Sequence, residues 1–181
     1  RIIPGDLTES SSIKAAFLEL RTRFHEIFGP DAGIELISPD ECAQFCDPGG
    51  ITEELQTRTL NKKHLVFQLW AENPRHFTWL HLHIEAKIPP TFQVTYKDAL
   101  PQPSESSLQA ARRVLCNLGL PAEAEILARS NKDFQVDGWS CGIWGIKWTE
   151  RLLRKLRGEP VMVPTSNQAI IARTNEFITK V

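Results

Sequence analysis

The sequence predicts an α+β fold in which helices flank a small central sheet. Three segments of strand character lie together in the centre of the chain, and helical periodicity dominates on both sides of them. A further helix, predicted to begin at Cys141, is apolar nearly all round in its first half, which is typical of a buried helix. The fold therefore combines one small sheet with at least one helix packed inside the molecule.

The first predicted element is a helix over Ser10–Gly29. Serines supply its N-cap, Gly29 with the following proline ends it, and five apolar residues recur at helical spacing: Ile13, Phe17, Leu20, Phe24 and Ile27. A short strand over Gly33–Ile37 follows. Ser38 and Pro39 then have the pattern of an N-cap and a first helical residue, so a second helix is expected to begin there.

Three predicted strands form the centre of the sheet: His64–Trp70, His76–Glu85 and Thr91–Lys97. The first is a mostly apolar run, as expected of a buried strand. The other two contain alternating apolar and polar residues, and the connections are short. We expect an antiparallel meander at least in part, within a sheet that is mixed or antiparallel.

The period becomes helical after the third strand. The remaining predicted elements are helices over Ser104–Leu118 and Pro121–Arg129, a strand over Phe134–Val136, a long helix over Cys141–Arg157 and a final helix capped by Thr165 or Ser166. The second half of the long helix is basic. Its residues 151–157 either form a solvated last turn or meet an acidic partner.

Length and composition narrow the class of protein. The chain has 181 residues, of which 41% are hydrophobic and 24% charged, so we predict one globular domain over residues 1–181. No run of about 18 apolar residues predicts a membrane span. The net charge of −1 argues against a general nucleic-acid binder. The first residue is Arg and no leader follows it, so we expect the chain to be a piece of a longer protein.

The chain has four cysteines: Cys42, Cys46, Cys116 and Cys141. A domain of this size can bury a core without disulfides, so we expect reduced thiols and an intracellular location, in cytoplasm or nucleus. Cys42 and Cys46 are not accompanied by a second Cys/His pair at close spacing. We therefore predict no structural zinc and no cofactor.

Cys141 differs from the other cysteines because it follows a turn-forming Asp-Gly-Trp-Ser segment and opens a helix. Unpaired N–H groups and the helix dipole favour a thiolate at such a position. The next residue, Gly142, has no side chain and would let a substrate backbone come close. Gln135 stands six residues upstream, where its amide could stabilise an oxyanion together with the backbone N–H of Cys141.

A cysteine nucleophile also needs an imidazole to accept its proton and an acid to orient that imidazole. His76 begins one predicted strand and Asp98 ends the next, so the two can meet across strands that lie about 4.8 Å apart. His81 is an alternative base, although it lies in the middle of a strand. His81 and His83 also form an H-x-H pair that can ligate a metal, but no further ligands stand at useful spacing, so we predict no metal.

Three segments resemble the ubiquitin-like-protein-specific cysteine proteases, the sentrin/SUMO protease family of the papain-like superfamily. QVDGWSCG, at 135–142, resembles the signature Q-x-[ND]-G-x-x-C-G of that family. HFTWLHL and VTYKDAL resemble its histidine strand and its aspartate segment, and all three follow the order of the family. The resemblance is best over residues 63–158, whereas residues 1–60 are divergent or truncated.

The resemblance implies a papain-like fold and a cysteine-type peptidase. His76 would form an ion pair with Cys141, Asp98 would orient His76, and Gln135 would complete the oxyanion hole. Substrates of the family end in Gly-Gly, so the implied partners are a ubiquitin-like modifier, SUMO-like or ubiquitin, and its conjugates. The implied reaction is maturation of a precursor or cleavage of an isopeptide bond.

Two departures from the family pattern concern the substrate slot. Phe77 stands where the family usually has Trp after the histidine, and no counterpart of the family's early WLND-type segment is present. Phe77, Gly142 and Trp139, which precedes the nucleophile, are the predicted substrate contacts. Two other functions stay open: a catalytically idle module that binds ubiquitin-like proteins, and an acyltransferase on the same fold.

Overall fold

A computed structural model describes residues 10–29, 33–47, 50–72, 75–98, 105–121, 123–128 and 141–159 of the chain, with the single positions 172 and 175. Five strands form one mixed sheet: β1 (Ile34–Ile37), β2 (His64–Glu72), β3 (Arg75–Lys87), β4 (Pro90–Lys97) and β5 (Ile126–Ala128). The strands lie in the order in which they occur in the chain. The central three form the predicted antiparallel meander, and β1 and β5 pair in parallel with its two edges.

Among the described residues, five helices flank this sheet: α1 (Ser10–Phe28), α2 (Pro39–Cys46), α3 (Glu53–Thr59), α4 (Glu105–Asn117) and α5 (Cys141–Leu156). As predicted, α2 begins after Ser38 with Pro39 in its first turn. Its N-terminus is stabilised by Glu41, whose carboxylate accepts a hydrogen bond of 3.0 Å from the backbone N–H of Ser38. The α+β prediction with a mixed sheet and flanking helices is confirmed.

Alternation along β3 separates two hydrophobic layers, one on each face of the sheet. Phe77 and Trp79 point toward α1 and α5, and Leu80 and Leu82 point toward α2 and α4. The first layer includes Ile13, Phe17, Leu20, Phe24, Trp144 and Trp148. The second includes Phe45, Leu65, Phe67, Val114 and Leu115. The sheet is thus buried on both faces, which explains the continuous apolar run of β2.

The helix α5 lies close against the sheet, as its apolar first half predicts. Gly145 faces the side chain of Gln68 in β2 so closely that a Cβ atom at this position would overlap with the Gln68 amide. Four residues further along, the hydroxyl of Thr149 accepts a hydrogen bond of 3.0 Å from the indole N–H of Trp79. These contacts hold α5 along β2 and β3 and so determine where its first residue, Cys141, lies.

One predicted element is wrong, and two others lie wholly or mostly outside the described residues. The helix predicted over Pro121–Arg129 is replaced at 126–128 by β5, whose residues pair with Val94, Thr95 and Tyr96 of β4. A proline and glutamates favour a first helical turn locally, but pairing with β4 satisfies backbone groups on the edge of the sheet and prevails. The predicted strand 134–136 lies outside the described residues, and so does the final predicted helix apart from positions 172 and 175, which are both helical. Within the described part of the chain, no helix is both long enough and apolar enough to cross a membrane.

Candidate active site

Three side chains from three different elements meet at one edge of the sheet. His76 is the second residue of β3, Asp98 follows the last residue of β4, and Cys141 is the first residue of α5. His76 Nε2 lies 2.5 Å from Asp98 Oδ1. The other side of the ring interacts with Cys141, and since Nε2 is bonded to Asp98, Nδ1 is the nitrogen left for the sulfur. All three side chains are buried.

The backbone of β3 also contacts the sulfur. The N–H of Phe77 donates a hydrogen bond of 3.5 Å to Cys141 Sγ, so the strand that carries the imidazole also positions the thiol. Because Cys141 is the first residue of α5, its own N–H has no partner within the helix. Together with the positive end of the helix dipole, this arrangement favours negative charge at the sulfur and next to it.

The electrostatic surroundings of His76 favour its charged form. Burial acts to lower the pKa of the imidazole, but the hydrogen bonds and negative charges of Asp98 and Cys141 outweigh burial and raise the pKa to about 9. At neutral pH the ring is therefore an imidazolium between a carboxylate and the sulfur. A cationic imidazole beside the sulfur is the arrangement that a cysteine nucleophile requires.

A second layer of hydrogen bonds holds the carboxylate. The hydroxyl of Tyr96 donates a bond of 3.2 Å to Asp98 Oδ2, which leaves the other oxygen for His76. Tyr96 is fully buried and also bonds to Ser107 at the start of α4. Burial and the Asp98 charge raise the pKa of the phenol well above its usual value, so it remains a donor. Tyr96 was not predicted as part of the site, although its position two residues before Asp98 places both on one side of the strand.

The aromatic surface beside the site comes from a residue that was not predicted. The side chain of Phe77 is only 1% exposed and packs edge-on against Trp70, with ring centroids 4.7 Å apart. Trp70 is 38% exposed and pairs with Phe77 across β2 and β3, next to the pair Ala71 and His76. Phe77 therefore supports Trp70 from below, and any aromatic contact with a ligand at this position falls to Trp70. In the sequence, Trp70 is marked only by its position as the last residue of the mostly apolar run 64–70.

Gly142 is buried between two hydrophobic side chains. A Cβ atom at this position would lie 2.8 Å from Ile13 of α1 and 3.2 Å from the ring of Phe77, so a larger residue here would require the Ile13 side chain to shift. Its contact with a substrate stays a prediction. Gln135 and Trp139 lie outside the described residues, so the oxyanion and slot roles predicted for them also stay predictions.

The alternative base lies elsewhere on the sheet. His81 is five residues further along β3, about 17 Å from His76 along an extended strand. It contacts His64 of β2, with His81 Nε2 3.0 Å from His64 Nδ1, and His83 stacks on His64 with ring centroids 4.4 Å apart. Among the described residues, no group of three or more His, Cys, Asp or Glu side chains is arranged to hold a metal ion. Cys42, Cys116 and Cys141 are free thiols.

Comparison with known proteins gives structural but not sequence matches. No family model and no curated protein matches the chain. The XopD effector of Xanthomonas campestris, solved bound to ubiquitin, superposes with a TM-score of 0.73 over 97% of this chain and 93% of its own, at 16% identity. The C-terminal Ulp1 protease domain, solved with SMT3, the yeast ortholog of SUMO, gives 0.65 over 97% and 76%, at 13% identity.

A third solved structure, a de-sumoylating protease, gives a TM-score of 0.62 over 97% of this chain and 74% of its own, at 14% identity. The chain has the fold of the ubiquitin-like-protein-specific cysteine proteases. The resemblance predicted from the three sequence segments is thereby confirmed at the level of the fold. These fold neighbours are cysteine proteases, and at such low identity the activity and specificity of this chain rest on its own residues.

Proposed function

We propose that this protein is a cysteine-type peptidase or isopeptidase that cleaves after the C-terminal Gly-Gly of a ubiquitin-like modifier, SUMO-like or ubiquitin. The observation that carries the proposal is the buried cluster of His76, Asp98 and Cys141, assembled from three elements of a ubiquitin-like-protease fold. The neighbours solved with ubiquitin and with SMT3 support the choice of partner. Such a substrate would place the protein in the cytoplasm or the nucleus.

The proposed reaction begins with attack of the Cys141 thiolate on the carbonyl carbon of the second glycine of Gly-Gly. The resulting oxyanion is stabilised by the N–H of Cys141 and, as the sequence predicts, by the amide of Gln135. The His76 imidazolium protonates the leaving amine, and the C–N bond breaks to give a thioester. His76, now neutral, then accepts a proton from water, which hydrolyses the thioester and regenerates the thiolate.

The other residues of the site hold this machinery in place. Asp98 keeps Nε2 of His76 engaged, so Nδ1 stays directed at the sulfur. Trp70 offers an exposed aromatic surface one register position from the pair Ala71 and His76, which suits a flat and narrow slot. Because glycine has no side chain, a Gly-Gly tail passes through such a slot where larger residues would collide. The proposed specificity for Gly-Gly depends on Trp70 together with the predicted contacts of Trp139.

The test is covalent capture with a panel of ubiquitin-like proteins that carry a C-terminal thiol-reactive group. We expect the wild-type protein to form an adduct with one member, detected as a mass increase of the intact protein. Cys141→Ala should form none while remaining folded. Cys116→Ala is the matched control, because Cys116 is an exposed free thiol outside the site and its loss should leave the adduct unchanged. Loss of the adduct in Cys116→Ala, or none with folded wild-type protein, would contradict the proposal.

A further inference from the structure

A cavity of about 690 Å³ lies between the sheet and the C-terminal half of α5, away from the candidate active site. Its walls carry three histidines from β2 and β3 and three cations from β4 and α5: His64, His81, His83, Lys97, Arg151 and Lys155. Cys141 and Lys155 are at opposite ends of α5, about 21 Å apart at 1.5 Å per residue. The cavity is therefore separate from the site that the proposed function uses.

Two of the cations that face the cavity, Arg151 and Lys155, lie on α5. None of the described lining residues is Asp or Glu, and within the described chain neither Arg151 nor Lys155 forms an ion pair. Other cations of the same helix end do: Arg154 pairs with Glu150 and Glu159, and Arg157 with Glu159. The unneutralised charges are thus concentrated on the side of α5 that borders the cavity.

Lys97 adds a third positive charge from the opposite wall. Its ammonium lies 5.5 Å from the centroid of Trp79 and 5.6 Å from that of Trp148, so two indole rings hold it in position. Both tryptophans are almost fully buried and belong to the hydrophobic layer under α5. A charge held in this way is available without the entropic cost of ordering a flexible side chain.

The histidines make the site suitable for an anion and unsuitable for a metal. Burial first, and then neighbouring positive groups, lower the pKa of His64 to about 4 and of His81 to about 3. The groups that act are His83 and Lys63 on His64, and His64, His83, Lys155 and Lys97 on His81. The same positive potential repels a divalent cation and attracts an anion. In the bond between His64 and His81, one neutral imidazole donates its only N–H to the other, and the accepting ring keeps its own N–H for a ligand.

We propose that this cavity binds a small, multiply charged anion of the phosphate type, held by Arg151, Lys155 and Lys97 and by ring N–H groups of the histidine cluster. Arginine donates in a fork that matches phosphate oxygens, and lysine adds point charge. The volume lies in the usual range of small-molecule sites, roughly 300–1,000 Å³. The site is independent of the proposed peptidase activity and can be tested on the Cys141→Ala protein as well.

The first test locates the ligand with the histidine signals in NMR spectra. The chain has five histidines, and His25 and His76 lie outside the cavity lining. Titration with inorganic tripolyphosphate at constant ionic strength should shift the ring signals of His64, His81 and His83 saturably and leave the other two unchanged. Linear shifts, or shifts of all five histidines, would overturn the proposal, because they indicate nonspecific binding.

The second test uses two double variants with the same change in charge. Arg151→Gln with Lys155→Gln removes two cations of the cavity, and we expect tripolyphosphate to bind on the order of tenfold or more weakly. Arg112→Gln with Arg113→Gln removes two cations from α4 on the opposite face of the sheet and should change the affinity less than twofold. If both double variants lose the same affinity for tripolyphosphate, the proposed site is wrong. Equal binding of citrate by the wild-type protein would overturn the phosphate class.

Discussion

Two histidines on the same strand, His76 and His81, have opposite electrostatic properties. His76 at the start of β3 has a pKa raised to about 9, and His81 in the middle of β3 has a pKa lowered to about 3. Burial lowers the pKa at both positions, so burial does not distinguish them. The difference is the partner: Asp98 and Cys141 face His76, whereas two histidines and two lysines surround His81. One strand thus holds a charged imidazole and a neutral one.

The largest expected difference between His76 and His81 is in catalysis. His76→Ala should lower kcat/KM for a modifier with a C-terminal fluorescent reporter by on the order of 10⁴-fold or more, because it removes the base that activates Cys141. His81→Ala is the matched control on the same strand and should retain activity within about threefold. A larger loss in His81→Ala than in His76→Ala would assign the base to His81.

The second prediction removes the charge that distinguishes His76. Asp98→Asn keeps the shape of the side chain but not its negative charge, so the pKa of His76 should fall and kcat should drop by on the order of 10³–10⁴-fold. In the wild-type protein we expect activity to fall above about pH 9, where the imidazolium loses the proton needed by the leaving amine. In Asp98→Asn this alkaline limb should move to lower pH. A limb that stays near pH 9 would show that another group titrates.

The residues of the candidate triad were predicted from the sequence, and two other important residues were not. His76, Asp98 and Cys141 each lie at the end of an element and within a short recognisable segment, so local patterns identify them. Trp70 and His64 acquire their roles through pairing across β2 and β3, with Phe77 and His83 respectively. Register is a property of the assembled sheet, and no local pattern around Trp70 or His64 specifies it.

The fold shows the same division between local and long-range information. The three central strands and the helix from Cys141 were predicted because each has a clear local pattern, which alternates in β3 and β4 and is mostly apolar in β2 and in the first half of α5. The strand β5 has only three residues, and its segment was interpreted as a helix. Its conformation is decided by parallel pairing with β4, which lies about thirty residues earlier in the chain. Short edge strands therefore need the neighbouring strand before they can be assigned.

A smaller effect is expected from the support behind Asp98. Tyr96→Phe removes one hydrogen bond to the carboxylate, worth about 1 kcal/mol, so kcat should fall roughly fivefold to tenfold with KM unchanged. Tyr96 acts as a positioning residue, and a shift of the alkaline limb distinguishes that role from general destabilisation. Ser107→Ala is one bond further from Asp98 and should have a smaller effect. An increase in KM with an unchanged kcat would contradict the positioning role.

The smallest effect concerns stability in mild acid. As the pH falls, protonation of His76 should stabilise the folded protein, whereas protonation of His64 and His81 should favour the unfolded chain. The folded pKa of His76 is raised, so its contribution to stability is complete below about pH 6.5 and is lost as the pH rises toward 9. The folded pKa values of His64 and His81 are lowered to about 4 and about 3, so the unfolded chain binds protons first as the pH falls below 6.5. Between pH 7 and pH 5, His64 and His81 should each lower the unfolding free energy by about 2 kcal/mol.

Urea denaturation in phosphate-free buffer at several pH values measures this contribution. The variant His64→Gln lacks one of the two histidines whose pKa is lowered. Between pH 7 and pH 5, the unfolding free energy of this variant should therefore fall about 2 kcal/mol less than that of the wild-type protein. His25→Gln is the comparison at a histidine outside the cavity lining; burial lowers the pKa of His25 as well, so a smaller change of the same sign is expected. If the unfolding free energies of His64→Gln and the wild-type protein fall by the same amount, His64 is protonated in the folded protein at pH 5. The pKa values of His64 and His76 then differ less than the structure indicates.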